Sequence, residues 1–390
     1  MDLGKHRVWF LSLSAAGVLF VLGGVLLGNV LAREENTYAY LRLFHDAVQL
    51  IENNYVEEVE ADHLLRGAYQ GLLEALDPES EYLPAPEYQE LLLGGPLPPA
   101  DPGIGLHRVR GHLLVLSVRP GGPADRAGIQ RGDQIQRIDV ISTQAMSLSG
   151  AESRLRGERG ADVTLTLAPS GGGTTREMRL TREASPPPVE LEFLGEGTGR
   201  LRLRGLPADA AARVEESLVD FQRRDGRGLI LDLRDTSARS LRPALDTARL
   251  FLDAGPLALV QERDGARSPI EEQTRTPAWR GPIVVLVNGA TASGAELLAA
   301  ALQGSGRSAL LGQNTFGSGT RTELFPLPNG AAVRLSTGRL LAPDGKAWHG
   351  TGLTPDLVLD PKLEEAEVLA RAREWLQSAR RPEAAEREAA

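Results

Sequence analysis

The 390-residue sequence contains no cysteine. Disulfides, thiol nucleophiles and thiolate-held metals are therefore excluded. Lysine is nearly missing too. Of 43 basic residues only Lys5, Lys346 and Lys362 are lysine. Any reaction that needs a neutral amine has three candidates, because an arginine guanidinium stays protonated. An excess of positive charge is also lacking. The net charge of -9 argues against nucleic acid as a partner, since phosphate binding needs a basic surface. Neither a His-Glu-x-x-His pattern nor a phosphate-cradling glycine loop of the P-loop type is present, so no metal and no cofactor is expected. What is there, 42% hydrophobic and 24% charged residues, describes a globular chain long enough for two or three domains.

Lys5, His6 and Arg7 precede an uncharged run from Val8 to Ala32. A spanning helix needs about 20 residues. The run predicts a membrane anchor over residues 8–32, within an N-terminal segment of residues 1–32. Val30-Leu31-Ala32 is an alternative cleavage site for a signal peptide. Basic residues ahead of the run hold the N-terminus in the cytoplasm. The expected location is a bacterial inner membrane, crossed once, with the bulk of the chain in the periplasm or cell exterior.

Residues 33–95 read as a helical region. Leu41, Phe44, Val48 and Ile51 recur at helical spacing, Asn53-Asn54 breaks the pattern, and a second helix is predicted from about Ala61 to Ala75. Leu76-Asp77-Pro78-Glu79-Ser80-Glu81-Tyr82-Leu83 reads as a turn. Proline-rich linkers near residues 94–102 and 185–188 bracket a β-rich domain at 96–184. Strands and helices then alternate through residues 185–361, the signature of an α/β layer fold. Gly228 to Leu233 and Ile283 to Val287 are its buried strands, and residues 362–390 read as a charged helical tail with polar ends.

Gly103-Ile104-Gly105-Leu106 opens the β-rich domain. Glycines let backbone N–H groups converge on an anion, so a peptide carboxylate can dock there while its chain adds as a strand. Arg119-Pro120-Gly121-Gly122-Pro123-Ala124-Asp125-Arg126-Ala127-Gly128-Ile129-Gln130-Arg131-Gly132-Asp133-Gln134-Ile135 follows, and this string resembles the middle of bacterial PDZ domains. Further on, Asn288-Gly289-Ala290-Thr291-Ala292-Ser293-Gly294-Ala295-Glu296 joins a strand to a helix. Serine on such a turn presents its hydroxyl, and helix-start N–H groups can hold an oxyanion. Plain N-capping by Thr291 or Ser293 is the competing reading.

With these segments goes Leu229-Ile230-Leu231-Asp232-Leu233-Arg234, then Gly312-Gln313-Asn314-Thr315-Phe316-Gly317, then Gly350-Thr351-Gly352-Leu353-Thr354-Pro355-Asp356. In this order, over about residues 38–360, the chain resembles the carboxyl-terminal processing, or tail-specific, serine peptidases. The resemblance implies a PDZ domain that receives protein C-termini, a serine nucleophile at Ser293 and an oxyanion N–H at Gly294. It also implies a neutral lysine base between two glycines. That position is Ser318 here, the accompanying glutamine is Thr322, and two oxyanion-loop glycines are Ala238 and Arg239.

A serine hydroxyl is a poor nucleophile without a base, and Ser318 accepts no proton at neutral pH. Losing one oxyanion donor typically costs about 100- to 1000-fold in rate. The resemblance therefore implies a catalytically impaired or inactive member that acts by binding C-termini. Two other readings stand beside it: an active serine endopeptidase using another base, such as His349, and a membrane-tethered scaffold whose partners use other surfaces. His107 and His112 read as structural histidines, and Lys346 as a solvated hairpin tip. A homo-oligomer stays open.

Overall fold

Two segments of the core are apolar at nearly every position, and the structure shows why. Gly228–Asp232 and Ile283–Val287 are buried throughout and lie parallel at the centre of a six-stranded sheet. Alternate side chains of one strand point to opposite faces. Leu229 and Leu231 with Val285 and Val287 join one hydrophobic cluster, whereas Ile230 with Val284 and Leu286 joins another. A strand covered on both faces has no polar positions to alternate with. The structure, a computed structural model, describes residues 38–93, 98–109, 111–144, 146–270 and 275–388.

The sheet runs Val189–Gly195, Thr198–Leu203, Gly228–Asp232, Ile283–Val287, Ala309–Gly312 and Leu357–Val358 across its width. The first two strands are antiparallel and every later pairing is parallel. Helices Ala210–Arg223, Arg242–Ala248 and Gly294–Gly304 bury residues against one face. Helix Glu365–Glu388 covers the other, with Val368, Ala372 and Leu376 buried against Ile230, Val284, Leu286 and Leu311. The expected charged helical tail is a helix, and one apolar stripe at spacing four makes its first half part of the core.

A second sheet is built round the long strand Ala332–Leu341. It pairs with Thr320–Pro326, with Ala258–Gln261 and, at its start, with Glu81–Leu83. Residues 76–83 are therefore only partly the turn expected from Asp-Pro. The Asp77 carboxylate accepts from the N–H of Glu79 and of Ser80 and closes the turn, after which the chain enters the sheet as a buried strand.

Residues 100–184 form a separate sheet with its own core. Ile104–Val109, His112–Val118, Gln134–Ile138, Asp162–Ala168 and Arg176–Thr181 follow in order, and Ile141–Ser142 pairs with Gln134–Ile138. Leu113, Ile135, Val163, Leu165 and Leu167 are wholly buried there. Ala100–Asp101 pairs with Glu183–Ala184, which brings the two ends of the segment together.

The chain divides into residues 1–68 and 69–390. In the first unit, residues 38–54 are helical and Ala61 begins a helix that continues to Glu74. Leu41, Phe44 and Ile51 lie exposed on the first helix. No helix among the described residues is long and apolar enough to cross a membrane. The expected anchor at residues 8–32 lies outside the described residues.

Phe221 ties the helix Ala210–Arg223 to the sheet. It is wholly buried, with the Phe193 ring centroid 5.5 Å and the Trp279 centroid 5.3 Å from its own. Replacing Phe221 with Ala should cost about 3–5 kcal/mol in urea unfolding, since a large core ring leaves a cavity. Val219→Ala, on the exposed side of the same helix, should stay within about 0.5 kcal/mol of the parent.

Candidate active site

The strand Ile283–Val287 ends against a loop that is held from two sides. The Thr291 hydroxyl donates to the carbonyl of Leu233 at 2.9 Å. The Asn288 side-chain oxygen accepts from the N–H of Asp235 at 3.0 Å and of Ala290 at 3.1 Å. Thr291 is therefore a tie between the two crossover loops and not the helix cap. Ser237–Ala238 then pairs in parallel with Ala292–Ser293, which sets Ala238 beside Ser293.

Ser293 is the N-cap of helix Gly294–Gly304, with φ +52° and ψ −119°. Side chains rarely adopt that backbone conformation, and such strain gathers at functional sites. Gly294 is pinned behind it. A Cβ at Gly294 would lie 2.8 Å from the carbonyl oxygen of Ala238.

The Glu296 carboxylate holds the site together, and sequence reasoning did not single it out. It is wholly buried. Its Oε2 accepts from the N–H of Ser293 at 3.0 Å and of Ser318 at 2.7 Å. Its Oε1 accepts from the N–H of Gly317 at 2.7 Å and from the Thr315 hydroxyl. Two donors on one oxygen make Ser293 and Ser318 close neighbours. The signal was local: an acidic residue three positions after the cap is the capping-box spacing.

Gly317 lets the loop 315–319 lie close to its neighbour. Its φ is +103°, and a Cβ there would meet the backbone of Gly350 and Gly352. Thr315 accepts on its hydroxyl from the N–H of Leu353 at 2.7 Å. The segments Thr315–Phe316–Gly317 and Gly350–Thr351–Gly352, far apart in sequence, meet here as one wall.

A narrow cleft brings together Ser293, Ser318, Thr322, Arg239, His107 and Glu79. Ser318 donates through Oγ to Oε1 of Glu79 at 2.5 Å. Arg239, which stands where the resemblance places a glycine, turns its guanidinium to Oε1 of Glu81 at 2.8 Å, and to the Ser149 hydroxyl at 2.5 Å. Arg334 donates to the same Glu81 oxygen at 2.7 Å, and the N–H of Leu148 to the other at 2.8 Å. Burial opposes a charge on Glu81, but Arg239 and Arg334 hold its carboxyl below the usual range.

The histidines fall only partly as expected. His107 packs as a buried histidine, its ring meeting Phe316 edge-on with centroids 4.2 Å apart, and it also lines the cleft. Burial, with Arg239 and Arg108 nearby, pushes its pKa down to about 4. His349 does not itself line the cleft, but it lies near enough to Glu79, which does, to lower that carboxyl's pKa. Lys346 is 85% exposed and pairs with Asp344 at 2.8 Å, and Lys362 is exposed as well. Among the described residues, no group of three acidic or histidine side chains could hold a metal ion.

The peptide-binding segment needs one correction. Gly103 has φ +81°, but its N–H already donates to Oδ1 of Asp101 at 2.7 Å, and Arg119 pairs with that carboxylate at 2.9 Å. Its N–H is therefore not free for a ligand carboxylate. Ile104, Gly105 and Leu106 begin the edge strand Ile104–Val109, whose other side pairs with His112–Val118. Leu106 and His107 carry that same strand into the cleft.

Residues 197–359 match the model of peptidase family S41, residues 114–169 a PDZ domain, and residues 28–86 the N-terminal domain of the activating protease CtpB. The carboxyl-terminal-processing protease of Picosynechococcus is 35% identical over 306 residues, which cover 75% of this chain and 73% of that one. The chain belongs to the carboxyl-terminal processing protease family. A Synechocystis protein of the same description is 33% identical over 275 residues, and this chain covers 64% of its length. Among solved structures, the photosystem II D1 C-terminal processing protease superposes with a TM-score of 0.63 at 27% identity. That match covers 84% of this chain and 96% of that one.

Burial pushes the Glu296 carboxyl up to about 7 against the pull of its four donors. A carboxyl raised from 4.5 stabilises the fold fully below pH 4.5, and that contribution is lost as pH rises through 7. Wild-type stability, measured by urea unfolding, should fall between pH 5 and 8 relative to Glu296→Gln. The variant lacks the titrating group. It should be less stable throughout, by about 1–3 kcal/mol for each donor left unmatched.

Proposed function

We propose that this protein captures the C-termini of other proteins with its PDZ domain and holds them against a serine-peptidase cleft that hydrolyses amides slowly. One observation carries this reading. Ser318, where the family resemblance calls for an amine, spends its hydroxyl on Glu79, and neither lysine of the described residues borders the cleft. A serine hydroxyl with no amine beside it is a weak nucleophile. Ala238 and Arg239, in place of two glycines, stiffen the loop beside Ser293. The edge strand that begins at Ile104 and reaches the cleft at Leu106 and His107 supports strand addition by an extended peptide. With an anchor at residues 8–32, the domains would act on the outer side of a bacterial inner membrane.

Two measurements test the proposal on the full chain. A peptide with an apolar, free C-terminus should bind at least about tenfold more tightly than its amidated form, because the carboxylate supplies charge-assisted hydrogen bonds. Ser293→Ala should leave that binding intact. Turnover of an unfolded protein should stay below about 1 per second, the low end for enzymes. Equal binding of both peptide forms, or turnover well above that rate, would sink the reading.

A further inference from the structure

Losing an amine base does not leave the cleft without a proton acceptor. Glu79 lines it together with Ser293. One carboxylate oxygen, Oε1, is fixed by the Ser318 hydroxyl at 2.5 Å. The other, Oε2, is buried and has no hydrogen-bond partner among the described residues. Buried polar atoms are nearly always paired, so an open carboxylate lone pair in the cleft that Ser293 lines calls for an explanation. Ser318 is in turn fixed next to Ser293, because both amides donate to Oε2 of Glu296.

We infer that Glu79 takes the hydroxyl proton of Ser293, and that Ser318 acts as the positioning residue which holds the Glu79 carboxylate. The inference rests on the proposed reading of a retained serine-peptidase layout, and it supplies the base for the slow hydrolysis. Attack forms a bond from Ser293 Oγ to the substrate carbonyl carbon as the proton passes to Glu79. The carbonyl π electrons move to oxygen. Collapse breaks the C–N bond, and the proton on Glu79 passes to the departing amine. Water then attacks the acyl-serine, gives its proton to Glu79, and Ser293 recovers it as the ester C–O bond breaks. No other reactant is required.

The surroundings suit that role. Burial raises the Glu79 carboxyl above its usual range, as does Asp77, while Ser318 and His349 lower it. Arg239 also faces it across the cleft. A carboxylate with a raised pKa is a stronger base than a free one, although weaker than an amine. The other cleft acceptors are less suited. His107 is pushed down to about 4, and Glu152, raised by burial as Glu79 is, is paired with Arg239 at 3.9 Å.

Covalent labelling of Ser293 by a fluorophosphonate tests this directly, because it reads nucleophilicity without requiring amide turnover. Oγ displaces fluoride from phosphorus, and its proton goes to the base. Wild type should label with a rate that rises with pH as Glu79 ionises. Glu79→Gln should label at least about 100-fold more slowly, the usual worth of a general base, and its profile should lose that rise. Ser318→Ala removes a donor that lowers the Glu79 pKa, so the midpoint should move to higher pH. Glu79→Asp should recover part of the rate, and thermal melting checks that each variant is folded. The inference is overturned if Glu79→Gln labels like wild type. It is also overturned if folded wild type does not label at any pH, or if only His107→Gln removes the rise. Fast amide turnover with a flattened Glu79→Gln profile would defeat the slow-hydrolysis reading and leave this inference standing.

Discussion

A single buried carboxylate sets the geometry of the cleft. Glu296 receives two donors on each oxygen, from the turn that carries Ser293 and from the loop that carries Ser318. The first leads into helix Gly294–Gly304, but the loop 315–319 has no regular secondary structure to hold it in place. A loop alone would fluctuate. Four hydrogen bonds converging on one rigid planar group remove that freedom, and burial keeps water from competing for them. The arrangement has an electrostatic side too. The carboxylate lies at the start of a helix, where backbone dipoles favour negative charge.

Glu81 does for the domains what Glu296 does for the loops. It sits on a three-residue strand of the second sheet and is 2% exposed. Its oxygens gather Arg239 from the oxyanion loop, Arg334 from the long strand and the N–H of Leu148 at a PDZ-domain helix start. Three parts of the chain therefore share one charge. Removing one partner of such a buried set usually costs more than the set contributes to stability. This gives Arg239 a structural reason to exist. Its presence beside Ser293 follows from what it holds on the far side of the cleft, and not from chemistry on a substrate.

How much of this could be read from residues alone depended on range. The two central strands announce themselves by unbroken apolar runs, and Ser293 by its place between strand and helix. The PDZ domain is visible in a string of turn glycines at fixed offsets. Glu79, Glu81 and His107 are not visible in this way. Each looks like an ordinary turn or strand residue, and each acquires its role only when segments more than a hundred positions apart meet. Burial of a carboxylate is decided by those meetings. Helix Glu365–Glu388 was legible as a charged helix but its packing was not, because its polar residues outnumber Val368, Ala372 and Leu376, the ones that meet the sheet.

That helix has a bearing on how the chain reaches its fold. Ile230, Val284, Leu286 and Leu311 face it across the sheet, and Glu365 at its start pairs with Arg234 at 3.0 Å beside the buried Asp232. Domains fold as units during synthesis, N-terminal parts first. The PDZ segment closes on its own core within residues 100–184 and can be finished while the rest is still being made. The central sheet cannot. One whole face stays wet until residue 376 has left the ribosome, so for that interval its apolar strands are open to any other surface that would cover them. The order of domains along the chain thus leaves a folded PDZ module in place well before the sheet beneath Ser293 is complete.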